Sequence, residues 1–382
     1  MNKNNLKIHL VQVLGLLAHG GAEHLVVDLC EKIDKKKFKV TLIVLGEYEK
    51  CEPSLIERLQ ASSVNIIFLN KPIGKEKIKI LIKLYKTFKR IKPDIIHTHL
   101  EINSIYCAIL SFIIKLPVFV QTIHNTKLYY PILTRLFNKR FKKLIAISDE
   151  VYDLILNQIK SDKQRIITIY NGVDTNKFSP FGPLSNEILS HYIEEKILKL
   201  VVIGRLTKQK GHSLLINALK MLEDKINFVL FIIGEGELKE DLIKLAKELN
   251  LEKRIKFLGN QNDIPAILRT CDMYLLPSLW EGLSISLLEA ISTGIPIVAT
   301  DVGSNKKVLE NSKTTYKIIE PNNIKEISNG IFQLYKEIQY KDEIRKTNRN
   351  KEFNYLGEKY TLSNFVKSHK ELYMELYLNN IN

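Results

Sequence analysis

The sequence predicts an α/β protein built from two doubly wound parallel-sheet domains in tandem, and three observations predict it. Its 382 residues exceed what one hydrophobic core commonly organises. Short apolar runs bounded by turn residues alternate with longer stretches of helical period, the rhythm of strands covered by helices on both faces. That rhythm comes in two series, separated by residues 178–196, where Pro180, Gly182 and Pro183 interrupt regular structure.

The first series places strands at residues 8–16, 38–45, 64–69, 95–98, 118–123 and 144–147. Lys3 and Lys7 ahead of the opening apolar run resemble the start of a signal peptide, but Gln12 interrupts the run and no small-x-small cleavage site follows. The run therefore reads as a buried first strand. The second series places strands at residues 198–203, 227–233, 255–258, 273–276 and 295–299. Residues 360–378 carry aromatic and aliphatic side chains at helical spacing and read as a terminal helix that packs back on the first domain. The expected organisation is an N-terminal domain over residues 1–180, completed by about residues 358–382, and a second domain over residues 197–350.

Composition narrows the class. Hydrophobic residues make up 45% and charged residues 26%, values of a globular chain with a sizeable core. Cys30, Cys51, Cys107 and Cys271 stand far apart without a CxxC pair, which fits a reducing cytoplasm better than a disulfide framework. The longest apolar stretch, residues 105–114, is too short for the roughly 20 residues of a transmembrane helix. Lys and Arg outnumber Asp and Glu by 29 to 16 over residues 1–180, against 28 to 26 over the remainder. The first half thus carries the basic surface, which suits an acidic partner such as nucleic acid, an anionic membrane or a phosphorylated lipid.

Ligands of doubly wound sheets bind beyond the carboxyl ends of the strands, so residues just after strands carry the functional reading. Gly20-Gly21-Ala22-Glu23 follows the first strand and opens a helix from about residue 22 to 32, where glycine allows close backbone approach and a helix N-terminus favours an anion. A plain tight turn explains the pair equally. His124 follows the run 118–123 and could contact an acceptor or a phosphate, or serve as a loop or core histidine. His97 and His99 invite a metal reading by their spacing, but without an adjoining carboxylate or thiol motif packing is the better reading.

In the second half, Arg205 follows a strand and Lys210-Gly211 opens a helix five residues later, so two cations stand at one strand-to-helix junction and could neutralise a diphosphate. Two solvated surface cations are the alternative. Glu281 precedes a helix whose body carries Glu289, which lets two carboxylates reach different ends of an elongated ligand. Backbone N–H groups of Leu283 and Ser284 at that helix start would face its anionic middle.

Together, Gly20-Gly21-Ala22-Glu23, Tyr170-Asn171-Gly172-Val173-Asp174, Gly204-Arg205-Leu206 with Lys210-Gly211, and the Glu281 to Glu289 block followed by Gly294-Ile295-Pro296-Ile297-Val298 closely resemble glycosyltransferase family 4. The resemblance runs in order along nearly the whole chain. It implies the GT-B fold, two Rossmann-like domains facing across a cleft, and a retaining transfer from a nucleotide-diphosphate sugar. It also implies no metal and no other cofactor, which fits the absence of an Asp-x-Asp motif. Carried over by position, Arg205 and Lys210 bind the donor diphosphate, Glu289 bonds the ribose, and Glu281 holds the transferred sugar. Gly20 and Gly21 line the cleft, and His124 sits by the reacting sugar. By the family's habits the base is uridine and the sugar a hexose or N-acetylhexosamine. The acceptor is a lipid-linked saccharide of bacterial capsular, exopolysaccharide or lipopolysaccharide synthesis. Two departures stand out. Ser304-Asn305-Lys306-Lys307 replaces a Gly-x-x-Glu run, and Ser284 stands where Pro or Gly is frequent.

Two basic segments of the first half bear on the acceptor. Residues 71–92 hold nine Lys or Arg against Glu76, and residues 127–143 hold six and no acid, both interleaved with apolar side chains. Both read as basic amphipathic helices, able to lie on an anionic membrane or simply to pack one face on the sheet. The expected location is cytoplasmic, peripheral on the membrane's inner face. Two rival functions are a nucleotide-sugar epimerase of similar fold and a basic nucleic-acid-binding protein. The motif set disfavours the first. For the second there is charge but no recognition motif, so no nucleic-acid partner is expected.

Overall fold

The computed structural model describes residues 7–72, 76–114, 118–184, 189, 197–348 and 355–381. It divides into two compact units, residues 1–171 with 362–382, and residues 172–361. Of the stretch 178–196 that the sequence reading takes as a link, residues 185–188 and 190–196 lie outside the described residues. Residues 179–183 are tied to the second unit by Arg269, which donates to the carbonyls of Ser179 and Pro183.

Unit 1 begins with β1 (Ile8–Leu14), α1 (Gly21–Lys32), β2 (Phe38–Val44), α2 (Pro53–Ala61) and β3 (Asn65–Phe68). It continues through α3 (Lys77–Ile91), β4 (Ile95–His99), α4 (Glu101–Leu110), β5 (Val118–Ile123) and α5 (Pro131–Phe137). β6 (Lys143–Ala146), α6 (Asp149–Leu154) and β7 (Ile166–Thr168) complete the run. The seven strands pair in parallel in the order β3-β2-β1-β4-β5-β6-β7. The order reverses between β1 and β4, which defines a switch point at their carboxyl ends. Right-handed crossovers put α1 and α2 on one face of the sheet and α3, α4 and α5 on the other.

Unit 2 holds β8 (Leu198–Ile203), α7 (His212–Lys220), β9 (Phe228–Ile233), α8 (Lys239–Glu248), β10 (Ile255–Gly259) and α9 (Ile264–Thr270). After them come β11 (Met273–Leu276), α10 (Ile285–Thr293), β12 (Ile297–Thr300), α11 (Asn305–Glu310), β13 (Tyr316–Ile319) and α12 (Ile324–Asn348). Its six parallel strands run β10-β9-β8-β11-β12-β13, with the switch point between β8 and β11. Leu200, Val202, Leu230, Ile232, Met273 and Leu275 alternate inward from its central strands onto Leu215, Leu219, Ile327 and Ile331 of the covering helices. Burying one such aliphatic side chain is worth about 1.5–3 kcal/mol.

The last helix, α13 (Leu362–Ile381), belongs to unit 1 and packs on α1 and β5. Its arrival explains an oddity of the sheet. β1 and β4 bury Gln12, His97 and His99 where a parallel strand ordinarily carries aliphatics, and α13 supplies Tyr373 and His369 to meet them.

The doubly wound expectation holds for both units, with three differences in detail. β7 and β13 are additional strands, short and only partly buried at sheet edges, so neither carries a strong apolar run. β4 reaches one residue beyond the expected 95–98, so that His99 is its last residue and His97 lies inside it. The segment 127–143 is not a long amphipathic helix. α5 spans seven residues, buries Thr134 and points Ile132, Leu133 and Leu136 outward, because the carboxylate of Glu101 holds the preceding turn through the N–H groups of Tyr129 and Tyr130. Among the described residues no helix is long and apolar enough to cross a membrane. The four cysteines are free and buried.

Candidate functional site

In unit 2 the predicted residues gather at the carboxyl ends of β8 and β11, the switch point. Gly204 follows β8 and lets the Lys210 side chain lie across it, since a Cβ there would stand 3.2 Å from the lysine Cε. Gly211 has φ +67° and caps α7, and a Cβ at this position would fall 2.1 Å from the carbonyl oxygen of Pro277. The Leu279 N–H donates to the Gln209 carbonyl at 2.8 Å, so the loops after β8 and β11 are held together.

That pairing brings Lys210 to Glu281. The Lys210 ammonium donates to Glu281 Oε1 at 2.6 Å, the Ser278 hydroxyl donates to the same oxygen at 2.7 Å, and the Gln209 amide reaches Oε2 at 3.5 Å. Glu281 is 5% exposed. A carboxylate this buried is tolerable only with a paired cation and further donors, and charge-assisted bonds of this length supply them. The sequence reading gives Lys210 to a diphosphate and Glu281 to a sugar, and here the two form one unit. Arg205 is exposed beyond β8.

The Glu281 loop turns into α10. Gly303 has φ +52°, and a Cβ on it would lie 2.3 Å from the Glu281 carbonyl oxygen, so the backbones after β11 and β12 run in contact. Leu283 is buried, and Ser284 caps the helix by accepting from the Leu287 N–H. A helix start leaves its first N–H groups without helical acceptors, and the macrodipole adds about half a positive charge. Glu289, partly buried, stands one turn after Ser286, whose hydroxyl accepts from Tyr274 at 2.8 Å. At the departure after β12, Ser304 N–H donates to the Gly282 carbonyl, and Lys306 stands 3.7 Å from Asp301. His212, the first residue of α7, is 1% exposed, and neither ring nitrogen has a hydrogen-bond partner among the described residues. Burial and the Lys210 charge lower its pKa to about 4.

In unit 1, Gly20 caps α1 and Gly21 opens it at the carboxyl end of β1. The Glu23 carboxylate folds back over Gly20, filling the place a Cβ would take. His124 follows β5 and is partly buried. Its Nε2 lies 3.2 Å from His99 Nδ1, and His99 Nε2 lies 2.8 Å from Gln12 Oε1. Burial holds His97 and His99 well below the usual imidazole range and brings His124 and His369 to about 4. These rings are neutral at pH 7. Among the described residues no group of His, Cys, Asp or Glu is arranged to hold a metal ion, and His97 and His99 are engaged in hydrogen bonds with protein groups.

Sequence reasoning misses Ser278 and Gln209 beside Glu281, and Gln12, His99 and Tyr373 behind His124. The pair His97 and His99 is the signal that could have pointed to the second group, because two histidines on one face of a buried parallel strand require polar partners.

Comparison with known proteins identifies the architecture and the family. Residues 19–177 match the family model described as Glycosyltransferase Family 4, and residues 187–351 match that described as Glycosyl transferases group 1. The chain is 30% identical over 393 residues to the UDP-Gal:alpha-D-GlcNAc-diphosphoundecaprenol alpha-1,3-galactosyltransferase of Escherichia coli, with 98% of each chain covered. It is 28% identical to the N-acetylgalactosamine-N,N'-diacetylbacillosaminyl-diphospho-undecaprenol 4-alpha-N-acetylgalactosaminyltransferase of Campylobacter jejuni, over 89% of this chain and 94% of that one. Among solved structures, Anabaena HepE in complex with UDP and glucose superposes with a TM-score of 0.77 at 19% identity, covering 96% of this chain and 99% of that one. The Escherichia coli and Campylobacter jejuni relatives are named as transferases, and they lend the epimerase and nucleic-acid readings no support. With its two doubly wound units and family matches over both halves, the chain belongs to the glycosyltransferases of family 4 and group 1, on the GT-B fold.

Proposed function

We propose that the protein transfers a hexose or N-acetylhexosamine from a uridine-diphosphate sugar to a saccharide carried on a polyprenyl diphosphate, with retention at the anomeric carbon. The observation that carries this reading is the 30% identity, over 98% of both chains, to an enzyme named for a UDP-galactose donor and an undecaprenyl-diphosphate acceptor. Arg205 and Lys210 neutralise the donor diphosphate, and the backbone N–H groups of Leu283 and Ser284 at the start of α10 add donors to it. Such preorganised charge does the work a divalent cation does elsewhere, so transfer persists in EDTA. Glu289 bonds the ribose hydroxyls. Glu281 aims Lys210 and holds the transferred sugar, which His124 also contacts. Gly20 and Gly21 let backbone approach the ligand closely.

The test is thermal stabilisation by UDP, GDP and ADP and their sugar conjugates in EDTA, followed by transfer of labelled sugar to a polyprenyl-diphosphate N-acetylglucosamine. A ligand that binds only the folded state raises stability by about 2.7 kcal/mol at a hundredfold excess over its dissociation constant. A shift with uridine nucleotides alone, lost in Glu289→Ala and Arg205→Ala, supports the reading. A shift with another base, or none with any, overturns the donor assignment.

We further propose that unit 1 rests on the anionic inner face of the membrane that carries the acceptor. Nine of the fifteen large apolar side chains exposed among the described residues, including Ile78, Phe112, Ile113, Ile132 and Leu136, belong to α3, the turn after α4, and α5 with its preceding loop. The right-handed crossovers place these three elements on one sheet face, opposite α1 and α13. Exposed Arg135 lies in α5 and exposed Lys127, Lys139 and Arg140 flank it, and each cation near an anionic surface adds about 1 kcal/mol. Flotation with vesicles containing phosphatidylglycerol is expected to carry the protein at low salt, and Ile132→Asp with Leu136→Asp to leave it in solution. Equal flotation of the double variant removes this surface from the account.

A further inference from the structure

We propose that His99, Gln12 and Tyr373 are positioning residues that fix His124 as its Nε2–H tautomer, so that His124 Nδ1 accepts a hydrogen bond from a hydroxyl of the bound sugar. The proposal rests on the reading that His124 contacts that sugar.

The inference follows from one hydrogen-bonded path through the buried face of the unit 1 sheet. It runs from His124 Nε2 to His99 Nδ1 at 3.2 Å, and from His99 Nε2 to Gln12 Oε1 at 2.8 Å. It continues from Gln12 Nε2 to the Tyr373 hydroxyl at 3.1 Å, from that hydroxyl to His97 Nδ1 at 2.6 Å, and from His97 Nε2 to Thr122 Oγ1 at 2.7 Å. A neutral imidazole has one donor and one acceptor nitrogen, and a hydroxyl has one proton to give. A path made of such groups has a single direction along its whole length.

The amide of Gln12 sets that direction, because its oxygen can only accept and its nitrogen can only donate. With Oε1 facing His99, His99 must donate from Nε2, and its Nδ1 is left to accept. His124 then donates from Nε2, and its Nδ1 carries the lone pair. On the other side, the amide nitrogen donates to the Tyr373 oxygen, whose proton goes to His97 Nδ1, and His97 Nε2–H ends on Thr122. Every link is satisfied, as buried polar groups require. His369 stacks against His97 with its Nδ1–H on the Phe365 carbonyl, so it does not compete for the path. Burial keeps the four rings neutral at pH 7, so with the Gln12 amide oriented as it is here the path settles which nitrogen of each ring carries the proton.

The arrangement reaches His124 from α13, whose Tyr373 lies 361 positions from Gln12 in the chain. Fixing one ring nitrogen through what the other bonds is how second-layer groups orient a functional histidine.

The experiment is long-range proton–nitrogen NMR of the imidazoles at pH 7.5 in the full chain, for the native protein and Tyr373→Phe, with transfer kinetics and melting temperature on the same samples. In the native protein, His124 is expected to show a protonated Nε2 and a bare Nδ1. In Tyr373→Phe the Gln12 amide is free to turn, so the His124 signals shift toward a mixture of tautomers and kcat falls about tenfold, with the donor KM within about twofold. Gln12→Leu cuts the path nearer to His124 and takes the place of Tyr373→Phe if that variant does not fold. A protonated Nδ1 in the native protein, or unchanged His124 signals in the variant, overturns the proposal. Unchanged transfer by His124→Ala, whatever the tautomer, removes instead the reading that His124 serves the sugar.

Discussion

Lys210 and Glu281 show how a pair of side chains can be both a structural joint and a piece of chemistry. With Lys210 16% and Glu281 6% exposed at the side chain, removing one partner strands a buried charge, at a cost of about 3–5 kcal/mol. Glu281→Gln keeps the shape and loses the charge, so it is expected to lower kcat by about 10²–10³-fold as the Lys210 ammonium loses its aim. Its melting point should fall less than that of Glu281→Ala, and equal activity of native protein and Glu281→Gln would remove the pair from the chemistry. The buried histidines give a second expectation. His369 and His212 have pKa values lowered to about 4, below the 6.5 of an unfolded chain. Between those values the unfolded state binds more protons than the folded one, so stability is full above pH 6.5 and declines as pH falls toward 4. Each ring contributes a slope of up to about 1.4 kcal/mol per pH unit. A melting point that stays constant from pH 7 to 5 would contradict this. Arg205, Lys210 and Glu281 are legible in the sequence because each stands beside a glycine, Gly204, Gly211 or Gly282, in a loop that follows a strand. Ser278 and Gln209 are not, because their use depends on the crossing of two loops that only the folded sheet brings together.

Strands and helices were readable where burial was complete. β5, β8 and β11 occupy the expected residues, and each is a mainly apolar run, interrupted in β5 by Gln121 and Thr122 and in β8 by Lys199. β7 and β13 escape notice because an edge strand needs only one buried flank, and Ile166–Thr168 and Tyr316–Ile319 show it as partial burial. α5 was misjudged for a related reason. Its apolar side chains have helical spacing, but Pro131 starts it and a tight turn at residues 138–140 ends it after seven residues, too short to lay a face along the sheet. α10 offers the cleanest test of a local device. Ser284 accepts from the Leu287 N–H, so Ser284→Ala should cost about 1 kcal/mol, seen as a lower melting point of the second unit, while Ser284→Asp should restore the cap. An unchanged melting point in Ser284→Ala would mean that the packing of Leu287 and Leu288 alone holds the helix start.

The tandem doubly wound plan is visible in the sequence because each series of apolar runs repeats one physical unit, a strand buried on both faces and a helix to cover it. What the sequence expresses less directly is why β1 and β4 tolerate Gln12, His97 and His99, since the answer sits more than 260 residues further on, in α13. A chain ending at Thr361 is expected to expose those groups, and hydrogen exchange should then show the amides of β1 and β4 losing protection while those of β8 and β9 keep it. Protection retained in β1 and β4 would show that the sheet does not depend on α13. The same feature bears on how the protein is made. Synthesis delivers unit 2 whole before the residues of α13 exist, whereas the unit begun first must wait for them. A chain held on the ribosome with α13 still inside the exit tunnel therefore has a later-made half that can already be native and an earlier-made half that cannot, so quality control would find the open face nearest the beginning of the message.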